Sequence, residues 1–170
     1  MHKVFAHSEP RGTVHLDLRC GTRADGSPRL EPVHAEPLGG LRFRLANSPG
    51  WTYGVAAGDV VERTDELGGF KLIRRSGNIA VRLFSTSSLR PDHIETLEAE
   101  VRERLGGWCD GQLEDRARVF TIPASTDVER IEALFDSFVR HVAIATDTVE
   151  WEYGNLQDDA GATGLGSGTR

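Results

Sequence analysis

The segment Arg74-Arg75-Ser76-Gly77-Asn78, followed closely by Arg82, holds the residue types best suited to gripping an anion. A guanidinium is a planar fork of five donors that matches a carboxylate or phosphate by two-point contact. Ser76, Asn78 and the backbone N–H groups around them supply the remaining donors of an anion nest. Asn47, in Asn47-Ser48-Pro49, and Asp59, in Gly54-Val55-Ala56-Ala57-Gly58-Asp59-Val60-Val61, are set among glycines and short apolar runs, where chains place turns and ligand contacts. The candidate ligand-binding set is therefore Asn47, Asp59, Arg75, Ser76, Asn78 and Arg82. Each stretch also has a structural reading. Gly54 to Val61 describes a turn into a strand, with Asp59 tying the turn through backbone N–H groups. Arg74 to Arg82 describes a connector in which Arg75 or Arg82 pairs with a carboxylate elsewhere in the chain. Either way, Arg75 is expected to be withdrawn from free solvent.

Other chemistry is sparse. The six histidines, at positions 2, 7, 15, 34, 93 and 141, form no His-x-His, His-x-x-x-His or His-Glu-x-x-His spacing, so no metal site is expected. His15 and His34 alternate with apolar residues and are placed to meet across a sheet, near Asp17 or Glu36. No Gly-x-x-x-x-Gly-Lys-Ser/Thr, Gly-x-Gly-x-x-Gly or Gly-x-Ser-x-Gly occurs, which leaves no phosphate loop, dinucleotide fingerprint or nucleophile elbow. Cys20 and Cys109 stand far apart and without an activating neighbour, as free thiols do in a reducing compartment. No cofactor is expected. Asp110, Glu114, Glu150 and Glu152 read as solvated carboxylates, and Trp51, Trp108 and Trp151 as packing anchors.

The elements that must position these residues follow from periodicity. Val14, Leu16 and Leu18 alternate with polar residues, as do Leu41, Phe43 and Leu45, which predicts half-buried strands. Further strands are predicted at Val33–Glu36, Val60–Glu62 and Phe70–Ile73, separated by Gly- and Pro-bearing turns. Short strands at this spacing predict a small antiparallel β-barrel-like domain over residues 12–78. After Asn78 the pattern becomes strand–helix–strand–strand–helix–strand. Its signals are Ile79/Val81/Leu83, the helical run Ile94/Leu97/Val101/Leu105 and a hairpin turning at Glu114-Asp115. A second helix follows with Ile131/Phe135/Phe138/Val142 behind a Thr126–Glu129 capping box, then Val149/Trp151/Tyr153. This order predicts a ferredoxin-like βαββαβ domain over residues 79–155, so the fold class is α+β. Residues 156–170 are rich in Gly, Ala, Ser and Thr, and a disordered tail is expected there.

Val14 to Tyr153 resembles a bacterial family catalogued as domain of unknown function 4265. The resemblance rests on the Asn-x-Pro turn, Gly54-Val55-Ala56, Gly58-Asp59-Val60-Val61, Arg75-Ser76-Gly77-Asn78 and Trp151-Glu152-Tyr153. The chain departs from the pattern at Gly50-Trp51, where an aromatic residue is expected first. It departs again at Ile79-Ala80, where a hydroxyl residue is usual after Arg-Ser-Gly. The resemblance implies the two-part fold and no activity.

Charge narrows the function classes. Residues 1–82 carry a net charge of +3 and residues 83–170 a net of −9, together the −6 of the whole chain. An acidic chain lacks the basic footprint of general nucleic-acid binding. No apolar run approaches the ~20 residues that cross a bilayer, and the N-terminus lacks the apolar core of a secretory signal. A cytoplasmic protein is expected. With chemistry-bearing motifs missing, the reading is a non-catalytic binding or regulatory protein, an immunity-type inhibitor or accessory factor acting through a protein partner that its acidic half attracts. The alternative is an enzyme or small-ligand binder that holds a small anionic ligand at the seam between the two parts.

Overall fold

The computed structural model describes residues 6–7, 11–142 and 148–156. In chain order its elements are β1 (Ala6–His7), β2 (Val14–Thr22), β3 (Pro28–Gly39), β4 (Arg42–Leu45), β5 (Val60–Arg63), β6 (Phe70–Arg74) and β7 (Ile79–Ser85), then α1 (Pro91–Leu105), β8 (Trp108–Leu113), β9 (Ala117–Ile122), α2 (Val128–Val142) and β10 (Val149–Tyr153). They form an α+β fold of two five-stranded antiparallel sheets and two helices. Of the expected tail, only Leu156 falls among the described residues; 157–170 lie outside them.

The first sheet is a meander, β2-β3-β4-β5-β6. Its inward residues are those the alternation predicts: Leu16, Leu18, Val33, Ala35, Leu45 and Val61 are buried in one cluster, with Phe43, Phe70 and Leu72 at its margin. The register shifts at Arg19/Gly21, Pro37/Gly39 and Val60/Val61, and such bulges sharpen the local twist and curl a sheet. The expected barrel nevertheless does not close, because among the described residues β2 and β6 remain unpaired edges. A single-residue approach, Arg19 N–H to Gly68 O at 2.8 Å, brings the β5–β6 turn against β2 without starting a ladder. β4, β5 and β6 have four, four and five residues against nine and twelve in β2 and β3, too short to run alongside them through a closed circuit. The inner face is covered instead by the segment joining β4 to β5, whose Val55 belongs to the cluster.

The second sheet runs β1-β8-β9-β7-β10. Strand β1, from a stretch without periodicity, joins its edge by pairing with β8. On one face Ile79, Val81, Leu83, Phe120 and Ile122 pack against both helices. The helices bring Ile94, Leu97, Val101 and Leu105 from α1 and Ile131, Leu134, Phe135, Phe138 and Val142 from α2. Phe135 lies 5.5 Å from Phe120 and 5.6 Å from Trp151, ring centre to ring centre.

Helix α1 begins with Pro91, whose fixed φ suits a first helical position, and ends at Gly106 in the left-handed region, its N–H returning to Val101 O. At the start of α2 the expected capping box is replaced. Asp127 Oδ1 accepts the Glu129 N–H at 3.0 Å, while Thr126 donates to Leu105 O at the end of α1. The N-cap is thus one residue later than the sequence pattern suggests, and Thr126 ties the two helices together.

The opposite face of the second sheet carries Ala117, Val119, Phe84 and Leu113, with Trp51 packed on them. Trp51 stacks on Phe84 at 5.7 Å. The β4–β5 segment, residues 46–59, therefore lies between the two sheets, with Val55 facing one and Trp51 the other.

Candidate functional site

Three carboxylates hold the 46–59 segment in place. Glu31, on β3 in line with the inward Val33 and Ala35, is 1% exposed. It accepts from Gly50 N–H (2.7 Å), Trp51 N–H (3.0 Å), Thr52 N–H (2.7 Å) and the Thr52 hydroxyl (2.8 Å). Consecutive N–H groups converging on one anion make a nest, and here the anion belongs to the chain itself. Asp110, at the β8 bulge, is 4% exposed. Its Oδ2 accepts from Ser48 N–H at 2.9 Å and from the Thr121 hydroxyl. Its Oδ1 accepts from Trp108 Nε1 at 2.8 Å and Asn47 Nδ2 at 3.4 Å. Burial pushes the Asp110 carboxyl above the usual carboxylate range, against the pull of these four donors. Ser48 Oγ also shares a short hydrogen bond with Thr121 Oγ1 and accepts from Ala57 N–H at 3.0 Å.

Asp59 is the third anchor. Its Oδ2 accepts from Ala56 N–H at 2.9 Å, closing the turn that precedes β5. Its Oδ1 accepts from Ser76 N–H at 2.6 Å and stands 3.0 Å from Ser76 Oγ. Ala57 O lies 2.8 Å from the same hydroxyl and accepts from Asn78 Nδ2 at 3.0 Å. Gly58 has φ of +84°, and a Cβ there would sit 2.9 Å from Ser76 Cβ. Gly58→Ala is therefore expected to lower stability by about 1–3 kcal/mol, through a left-handed φ and a side chain driven into Ser76. Urea denaturation reads this directly, and unchanged stability would mean that the turn rearranges at no cost.

The residues expected to form one anion site are divided among separate contacts. Asp59, Ser76 and Asn78 meet in the knot just described, with the Asp59 carboxylate taking the position an external anion would need. Asn47 belongs to the Asp110 cluster. Arg75 reaches Gly54 O at 3.2 Å but is otherwise exposed, contrary to the expectation that it would be withdrawn from solvent. Arg82 is fully buried. Its Nη2 donates to Thr52 O, its Cζ lies 4.1 Å over the Tyr53 ring, and its Nη1 is 3.6 Å from Glu152 Oε1. Among the described residues, Arg82 Nε and Nη1 have no hydrogen-bond partner. Gly154 packs its backbone on this guanidinium, since a Cβ there would stand 3.0 Å from Arg82 Nε. The Tyr53 hydroxyl donates to Glu152 Oε1 at 2.5 Å. Burial, reinforced by that carboxylate, pushes the phenol upward.

Sequence reasoning passed over Glu31 and Tyr53, and read Asp110 and Glu152 as solvated. Asp110 is buried rather than solvated, and Glu152 is drawn to Arg82. Glu31 did leave a signal, because it continues the inward alternation of Val33 and Ala35. Asp110 left none, since its burial depends on a segment far away in the chain.

Neither cysteine is set up as a nucleophile. Burial and the nearby Glu98 carboxylate push the Cys109 thiol up to about 12, and burial with Glu31 raises that of Cys20; a thiol held protonated is inert. His15 and His34 do face each other across β2 and β3, with ring centres 4.7 Å apart. Among the described residues, no group of three or more His, Cys, Asp or Glu side chains is placed to hold a metal ion. No described helix is long and apolar enough to cross a membrane.

Comparison with known proteins agrees with this architecture. A crystal structure of a hypothetical protein from Neisseria gonorrhoeae superposes with a TM-score of 0.59, covering 88% of this chain and 98% of that one at 13% identity. At that identity the likeness is one of fold. No curated protein matches the sequence. The family described as Domain of unknown function (DUF4265) matches residues 31–145, a span that takes in the Glu31 nest, the Asp59 knot, Asp110 and both helices. The chain belongs to the DUF4265 family.

Proposed function

We propose that this is a non-catalytic, cytoplasmic binding or regulatory protein, an immunity-type inhibitor or accessory factor, that works by docking a basic protein partner. The carrying observation is how the polar groups are used. The carboxylates of the seam are consumed by the chain itself, Glu31, Asp59 and Asp110 each being surrounded by its donors. On the helix layer, by contrast, the exposed Glu95, Glu103, Glu129 and Glu132 make no ion pair with another described residue. Uncompensated surface charge steers an oppositely charged partner and sets its specificity.

The layer is read as the outer surface of a ferredoxin-like domain over residues 79–155, following a smaller β domain over 12–78. The antiparallel order β8-β9-β7-β10 with both helices on one face supports that reading. Folds of this kind host many functions, so the partner is argued from charge and not from the fold.

The test is a charge-reversed variant, Glu95→Lys with Glu103→Lys and Glu129→Lys. Glu98 is left intact because it lies 3.6 Å from the buried Arg118. Native mass spectrometry of the protein drawn gently from its own host is expected to give a stoichiometric complex with a basic protein. The variant is expected to lose that complex at least tenfold while keeping its urea midpoint. A bare monomer, or a complex indifferent to the reversal, would refute the reading.

The second reading, a small anionic ligand at the seam, keeps one observation in its favour: the two unbonded nitrogens of the buried Arg82. A carboxylate or phosphate replacing Glu152 would supply their acceptor. An adduct in the same spectra, lost in Arg82→Met, would select this reading.

A further inference from the structure

Between α1 and α2 the protein surface opens into a cleft of about 180 Å³ lined by His93, Thr96, Glu100, Ser137, Phe138 and His141. His93 stands in the first turn of α1 and His141 in the last turn of α2. The two helices are tied to each other at the opposite end, where Thr126 bonds Leu105 O and Arg130 Nη2 bonds Arg104 O. The two imidazoles thus meet at the cleft from separate helices. Their ring centres are 5.5 Å apart and their planes inclined at 64°.

From this geometry we infer that the α1–α2 cleft binds a late first-row divalent metal ion of the zinc class, with His93 and His141 as its two protein ligands. A zinc-class ion bonds imidazole nitrogen at about 2.0–2.1 Å, which places each ring centre about 3.2 Å from the metal. Two imidazoles on a tetrahedral centre are then about 5.2 Å apart, centre to centre. The observed separation meets that requirement within a few tenths of an ångström, a shift that rotation about χ2 accommodates. The rings meet edge to face rather than stacked, which leaves ring edges open to the cleft.

The donor type selects the metal class. Neutral imidazole suits zinc, copper and nickel, whereas magnesium and calcium require several oxygen ligands. With two protein ligands the remaining coordination positions fall to solvent, and the hydroxyls of Thr96 and Ser137 line the same cleft to bond it. Glu100 contributes a carboxylate there, with its Oε1 held by Arg104 Nη1 at 3.1 Å. Outer groups of this kind orient bound water and tune the ion. Phe138 forms the apolar, buried lining. The site is invisible to motif searches because its two ligands lie on different helices, at no recognisable spacing along the chain.

The experiment is calorimetric titration of the full-length, chelator-treated protein with zinc chloride at neutral pH, accompanied by copper(II) electron paramagnetic resonance. One equivalent of zinc is expected to bind, and the copper spectrum is expected to show coupling to two nitrogens. His141→Ala and His93→Ala are each expected to weaken binding at least tenfold. His141 is exposed, so its replacement leaves the fold intact, as an unchanged urea midpoint would verify. The joint variant His2→Ala with His7→Ala and the single variant His15→Ala separate this site from the other histidines, and both are expected to bind as the parent does. Absence of one-equivalent binding, its survival in His141→Ala, or its loss in either control variant would overturn the inference.

Discussion

Glu31→Ala is expected to remove about 3–5 kcal/mol of stability, because it leaves several buried donors without their acceptor. The substitution strips the acceptor from Gly50, Trp51 and Thr52 N–H together, and from the Thr52 hydroxyl. Each buried donor left without a partner costs about 1–3 kcal/mol, and partial entry of water keeps the sum below a simple addition. Glu31→Gln is expected to cost less. A single amide oxygen can still take the three donors now on Oε2, while the amide NH2 would face Gly50 N–H, donor against donor. The order parent, Gln, Ala in urea midpoints, read through tryptophan fluorescence, is the expected result. Since Trp51 stacks on Phe84 of the second sheet, the Ala variant should also loosen the contact between sheets. A parent-like midpoint for Glu31→Ala would show that the apolar contacts of Val55 and Trp51 hold the segment unaided.

The contrast between Asp59 and Glu31 shows what a sequence exposes. Asp59 bonds the N–H three residues before it, a local tie that glycine placement and strand onset announce together. Its second partner, Ser76, came from a motif already marked as polar and turn-forming. Glu31 and Asp110 grip residues on other elements, and nothing local distinguishes them from surface carboxylates except, for Glu31, its place in an inward alternation. The strands and helices themselves were legible because Leu16/Leu18, Ile79/Val81/Leu83 and Ile131/Phe135/Phe138 carry their periods openly. Closure of the first sheet was not. It depends on the lengths of β4 to β6 relative to β2 and β3, and on the 46–59 segment occupying the space a barrel would have filled. The Thr126 cap failed for a similar reason, since a tertiary acceptor at Leu105 O outcompeted the local N–H. His93 and His141 were each unremarkable in sequence, and only the packing of α1 on α2 brings them together.

Asp110→Asn tests the other long-range anchor, and its effect depends on pH. Oδ1 faces the Trp108 indole N–H and the Asn47 amide, and Oδ2 faces the Ser48 N–H and the Thr121 hydroxyl. Whichever way an asparagine amide is turned, its NH2 meets a fixed N–H donor, from Trp108 or from Ser48. A protonated aspartic acid avoids that conflict: it carries one hydrogen, which Thr121 Oγ1 can accept by turning its own toward Ser48 Oγ. Asp110→Asn is therefore expected to cost about 2–3 kcal/mol at neutral pH, one buried donor unsatisfied and a charge-assisted bond lost. Because burial raises the native pKa above the unfolded carboxylate value near 3.9, the native state holds the proton more tightly than the unfolded chain. Asp110 thus contributes stability that is complete below that unfolded value and is lost as pH rises through the native one. The gap between parent and Asp110→Asn should accordingly be smallest at neutral pH and widen as the buffer is taken down toward pH 4. A gap that narrows on acidification would mean that the four donors outweigh burial and hold the carboxylate ionised throughout.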